Sequence, residues 1–93
     1  MNRYGIRAQE YWQTHLPKQY ATIEDPDKHF TALGEQMARE INGLGLSLAG
    51  DDPAGEGYLA KVGRLRMARL QAEEQVMREM LPISESDEPN PPN

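Results

Sequence analysis

Apolar residues recur every three or four positions over two long stretches, Asp25–Leu48 and Asp52–Leu81, parted by a polar break at Ala49-Gly50-Asp51-Asp52. That period is the signature of amphipathic helices. In the first stretch the stripe is Phe30, Leu33, Met37, Ile41, Leu44 and Leu48. In the second it is Tyr58, Leu59, Val62, Leu65, Leu70, Ala72, Val76, Met77, Met80 and Leu81. Both stretches open on Asp-Pro, where the carboxylate can accept from orphan backbone N–H groups and proline sits at the first helical position without losing a bond. Pro82 ends the second stretch. A shorter pattern, Ala8, Tyr11, Trp12, His15 and Leu16, predicts a first helix that stops before Pro17.

The pattern predicts an all-α fold with helices over about 6–16, 26–49 and 54–81. A short N-terminal helix packs on a long antiparallel helical hairpin, because a break of about four residues forces antiparallel neighbours. Residues 1–81 are read as a single helical domain. The weakest element is Gly43-Leu44-Gly45-Leu46-Ser47-Leu48, whose leucines also alternate as a strand would. A lone strand has nothing to pair with, so a helix with a bent or frayed last turn is expected, and Gly50 suits its stop. Gly34 adjoins the stripe and can admit a close helix. Pro82–Asn93 has four prolines, one apolar residue and the acids Glu85, Asp87 and Glu88, and is read as a disordered acidic tail.

Composition narrows the function classes. The chain has 93 residues, 38% of them apolar, and six aromatic side chains, enough for a modest core but not a deep pocket. The net charge is −5, which opposes general affinity for nucleic acid. No cysteine is present, so disulfides, thiolate chemistry and a Cys-based zinc site are excluded. The N-terminal residues show no apolar core of signal-peptide length, and no run is long enough to span a bilayer. A cytoplasmic location is the expectation.

No constellation for catalysis can be assembled. His15 and His29 lack a ligand spacing, Ser47, Ser84 and Ser86 lack a nucleophile's setting, and Gly43-x-Gly45 and Gly55-x-Gly57 lack the remainder of a nucleotide motif. A non-enzyme without cofactor or metal is therefore expected. Attention falls on helix three, where Arg66, Arg69 and Glu73 lie within the apolar arc bounded by Tyr58, Val62, Leu65, Met77 and Met80. Three readings stay open. The charges snorkel between two narrower seams, or they set register in an interhelical or inter-subunit contact, or the arginines bind an anion. Trp12 and Tyr11 are either fillers at one end of the hairpin or interface anchors. Candidate interface residues are thus Trp12, Tyr11, Val62, Leu65, Arg66, Arg69, Glu73, Val76, Met77 and Met80.

Three segments carry a resemblance. They are Tyr11-Trp12-Gln13-Thr14-His15-Leu16-Pro17 with Tyr20-Ala21, Asp25-Pro26 to Phe30-Thr31-Ala32-Leu33-Gly34-Glu35-Gln36, and Gly55-Glu56-Gly57-Tyr58-Leu59 to Val62-Gly63-Arg64-Leu65. Together they resemble short helical proteins encoded by bacteriophages and integrated elements of high-GC bacteria. The resemblance covers most of residues 6–81. It implies a phage or mobile-element setting and a place in the host cytoplasm or with the virion, and it carries no catalytic residue across.

The expected function is a non-enzymatic protein–protein interaction module that self-associates or binds another protein's helix. In that setting it would be an accessory or assembly factor, or an inhibitor. No membrane partner is expected. The alternative is a nucleic-acid-associated accessory protein using Lys61, Arg64, Arg66 and Arg69, although helical geometry scatters these four around the helix.

Overall fold

The structure, a computed structural model, describes residues 1–85. It is all-helical, with α1 at Arg3–His15, α2 at Pro17–Tyr20, α3 at Pro26–Ala49 and α4 at Tyr58–Met80, and no strand among the described residues. The described residues form two compact units. One is Met1–Gln36 with the segment from Leu81, and the other is Met37–Met80. No helix is long and apolar enough to cross a membrane among the described residues.

In the first unit, α1 begins at Arg3, earlier than the apolar pattern suggests. The reason is a cap that hydropathy does not register: Asn2 Oδ1 accepts from the Gly5 N–H at 2.9 Å. The same side chain donates from Nδ2 to the Gly34 carbonyl at 3.0 Å, tying the cap to α3. The two glycines make this approach possible. A β-carbon on Gly34 would lie 2.7 Å from the Gly5 nitrogen, and one on Gly5 would lie 2.5 Å from the Phe30 carbonyl oxygen. Either is closer than real β-carbons come.

Phe30 is wholly buried in this unit, as are Ala8 and Leu16. Trp12 meets the Phe30 ring edge-on at 5.8 Å, and Tyr20 stacks on it at 6.0 Å. The short α2, started by Pro17, holds Tyr20 in place, and the Tyr20 hydroxyl accepts from Gln9 and Gln13. The start of α3 follows the Asp-Pro logic: Asp25 Oδ1 accepts from the Lys28 N–H at 3.2 Å.

The first four residues of the segment read as a tail, Pro82–Glu85, make polar contacts with the first unit. The Tyr11 hydroxyl donates to the Pro82 carbonyl at 2.6 Å, Ser84 Oγ donates to the His15 carbonyl at 3.4 Å, and the Gln19 N–H donates to Glu85 Oε1 at 3.1 Å. Ser84 is buried. Composition counts apolar residues and so overlooks a segment held by polar contacts. The remainder of that expected tail, 86–93, lies outside the described residues.

In the second unit, α3 closes on Gly50, whose φ of 64° is the left-handed conformation of a helix stop. Its N–H donates to the Leu46 carbonyl at 3.1 Å. The next helix starts at Tyr58, not near residue 54. Gly55 takes a φ of 77°, which a helix cannot contain, and the Lys61 N–H donates to the Gly57 carbonyl at 3.0 Å in the first turn.

The inner face of α4 is a narrower part of its apolar stripe, Ala72 and Val76, joined by Ala68. The buried residues are Ala68, Ala72 and Val76, one helical turn apart. Tyr58 and Leu59 are 80% and 82% exposed, and Leu65 and Leu70 are exposed as well. Small residues face inward because the helices approach closely: a β-carbon on Gly45 would sit 3.9 Å from the Ala72 β-carbon.

Candidate functional site

Two features of the second unit stand out, a clasp of charges and an apolar groove. The clasp is centred on Arg64. Its guanidinium pairs with Glu56 through two bonds, Nε to Oε2 at 2.7 Å and Nη2 to Oε1 at 2.9 Å. Nη2 also reaches Asp52 Oδ1 at 2.6 Å, and Nη1 donates to the Ala49 carbonyl at the end of α3. Lys61 Nζ holds the other Asp52 oxygen at 2.6 Å.

One arginine thus caps an orphan helix carbonyl and gathers the loop that follows it. The hydrogen bond from Lys61, and then that from Arg64, hold the Asp52 carboxyl below its ordinary range. Arg64 does the same to Glu56, and the two carboxylates raise the arginine further. Asp52, which the sequence suggests as a helix cap, serves instead as a ligand for two cations. In the sequence Arg64 stands out only as one of four basic residues scattered around the helix, because its partners lie eight to fifteen residues away across a loop.

The groove holds about 330 Å³. Gly45 and the buried Ile41 contribute to its lining, together with Asn42, Leu46, Leu65 and Arg69. Leu46 is 74% exposed and Leu65 is 41% exposed. Arg69 Nη1 donates to Asn42 Oδ1 at 3.1 Å, and its Nε lies 3.4 Å from Glu73 Oε1. The groove is therefore apolar with a charged rim. Leu46, Leu59 and Leu70 were not among the candidate residues. An interruption of the stripe by exposed leucines in a glycine-rich turn was the signal available at Leu46.

The ten candidate residues divide between the units. Trp12 and Tyr11 belong to the first. Trp12 is half-buried with its ring against His29 and Phe30, and its indole N–H is buried without an acceptor among the described residues. The Tyr11 ring meets that of His15 at 4.7 Å, tilted by 39°, and its hydroxyl donates to the Pro82 carbonyl. The other eight lie in the second unit. Leu65 and Arg69 line the groove together, and Arg69 and Glu73 pair. Arg66 is exposed, Val62, Met77 and Met80 are half-buried, and Val76 is buried.

His15 and His29 meet aromatic rings. No group of three or more His, Cys, Asp or Glu able to hold a metal exists among the described residues. A second, open depression of about 700 Å³ lies in the first unit, over Ile23, Lys28 and Leu33. Its wide mouth gives it no enclosed chemistry.

Comparison of the chain with protein-family models, with curated proteins and with solved structures finds no match.

Proposed function

We propose that the protein is a non-enzymatic helical interaction module that binds through apolar side chains of its second unit. The carrying observation is that several large apolar residues of this unit are left in solvent, with Leu46, Tyr58 and Leu59 each more than 70% exposed. Single exposed leucines are ordinary, but Leu46 and Leu65 line a groove with a charged rim, which resembles the surface that receives an amphipathic helix. In this reading α3 and α4 form the arms of an antiparallel hairpin. Contacts inside the second unit support it, since Ala49 meets Arg64 near the turn while Asn42 meets Arg69 farther from it. The sequence resemblance alone suggests the setting of a phage or mobile-element accessory factor, assembly factor or inhibitor.

The nucleic-acid reading is weaker. Of its four basic residues, Lys61 and Arg64 already hold Asp52 and Glu56, and Arg69 holds Glu73. Neutralised cations release few counterions from a phosphate backbone.

The test compares the wild-type protein with Leu46→Asp and Leu59→Asp, each checked for unchanged helicity. Two readouts are taken: solution mass by light scattering across micromolar concentrations, and titration against purified proteins recovered on the wild type. Loss of an association in either variant supports the module. A wild-type monomer whose every association survives both charges overturns it. Duplex DNA binding that weakens steeply from low to moderate salt would favour the alternative.

A further inference from the structure

We infer that the outer face of α4 is a self-complementary surface, pairing antiparallel with the same face of a second copy of this chain about a two-fold axis at Leu70. The inference rests on the interaction-module reading and names the partner. At roughly 100° per residue, Leu59, Gly63, Arg66, Leu70, Glu74 and Met77 share one face within an arc of about 80°. That face lies roughly opposite the buried Ala68, Ala72 and Val76. Leu59 is 82% exposed and Leu70 is 57% exposed. Gly63, Arg66 and Glu74 are exposed too, and Met77 is half-buried.

The charges on this face are arranged symmetrically. Arg66 lies one turn before Leu70 and Glu74 one turn after it. Neither takes part in an ion pair among the described residues, whereas Lys61, Arg64 and Arg69 on the same helix do. An antiparallel second copy, centred on Leu70, sets Arg66 of each chain against Glu74 of the other. The two charges stand about 12 Å apart along the helix, so both pairs form at once on either side of the axis. A parallel arrangement would set Arg66 against Arg66 and Glu74 against Glu74, which repels.

The apolar positions follow the same symmetry. Gly63 and Met77 are equally spaced about Leu70, two turns to each side. Nothing lies within 4 Å of where a β-carbon on Gly63 would be. The flexible Met77 side chain of the second copy fits into that space, and the missing β-carbon lets the helices draw together. Leu70 meets its own copy at the centre. An isologous contact requires each patch to complement itself, and this sequence does so in both charge and size.

The experiment uses the whole chain. Light scattering gives the mass against concentration for the wild type, Arg66→Glu, Glu74→Arg and the double reversal. Each single reversal turns two symmetry-related pairs repulsive and should raise the dimer dissociation constant about tenfold or more. The double reversal restores both pairs and should recover the wild-type value. Because the chain has no cysteine, Leu70→Cys should crosslink two copies on mild oxidation, whereas Leu59→Cys should not.

A monomeric wild type, a double reversal no better than the singles, or equal crosslinking at both cysteines overturns the inference. A monomer that still binds a purified partner through Leu46 or Leu59 would overturn only this inference and leave the module standing. A dimer lost by Arg66→Glu but indifferent to Leu46→Asp supports the α4 face.

Discussion

Gly34→Ala and Gly43→Ala make the same chemical change in the same helix, and the structure requires opposite effects. In an open helix interior, Gly to Ala stabilises by about 1 kcal/mol, through reduced freedom of the unfolded chain. Gly43 has nothing within 4 Å of an added β-carbon, so it should gain that amount. At Gly34 the new methyl would sit 2.9 Å from the Gly5 α-carbon and 2.7 Å from its nitrogen, both backbone atoms. Helix α1 must then move away. Overpacking of this kind destabilises by about 1–3 kcal/mol. The shift also threatens Asn2, whose cap to Gly5 is typically worth about 1 kcal/mol.

Subtracting the propensity gain leaves Gly34→Ala less stable than the wild type by about 1–3 kcal/mol. For a chain this size each kcal/mol moves the Tm by about 4–8 °C. Thermal melts followed by far-ultraviolet circular dichroism, at one fixed protein concentration, should show the two variants on opposite sides of wild type. If Gly34→Ala melts as high as Gly43→Ala, the close crossing of α1 over α3 is refuted.

Arg64→Ala should release the 50–57 loop and the end of α3, seen as faster amide hydrogen exchange there, and Arg64→Lys should not restore protection because an ammonium cannot make the paired bonds to Glu56. Asp52 and Glu56 have depressed folded-state pKa values, so they contribute stability above their unfolded values and lose it as pH falls through the folded ones. Denaturation should therefore steepen below about pH 4, and Asp52→Asn with Glu56→Gln should flatten that acid limb while lowering stability at neutral pH. A chain ending after Leu81 should melt lower than one ending after Glu85, because only the longer one keeps the contacts to Tyr11, His15 and Gln19. Tyr11→Phe should reproduce part of that loss, by about 0.5–1.5 kcal/mol in chemical denaturation.

Features that depend on neighbours along the chain are legible in the order of residues. The helical period, the Asp25-Pro26 start and the stop at Gly50 are local matters of backbone geometry and nearby donors, so the all-helical character was legible without coordinates. The burial of Phe30, Met37 and Ile41 follows from one regular stripe. Local pattern did not show which part of the α4 stripe is covered: Ala72 and Val76 are buried with Ala68, while Leu59, Leu65 and Leu70 stay exposed.

Tertiary structure alone decided the rest. Arg64 finds Glu56, Asp52 and Ala49 across a loop, and Pro82–Glu85 finds α1 and α2 from the far end of the chain. Such partners are distant in sequence, and their attraction depends on distances that no local pattern encodes. The candidate site was half legible for the same reason. Arg66, Leu65 and Arg69 stood out along the helix, but whether a side chain is covered or left in solvent is set by the elements beside it. Leu46 and Leu59 became visible as surface only when the helices were in place.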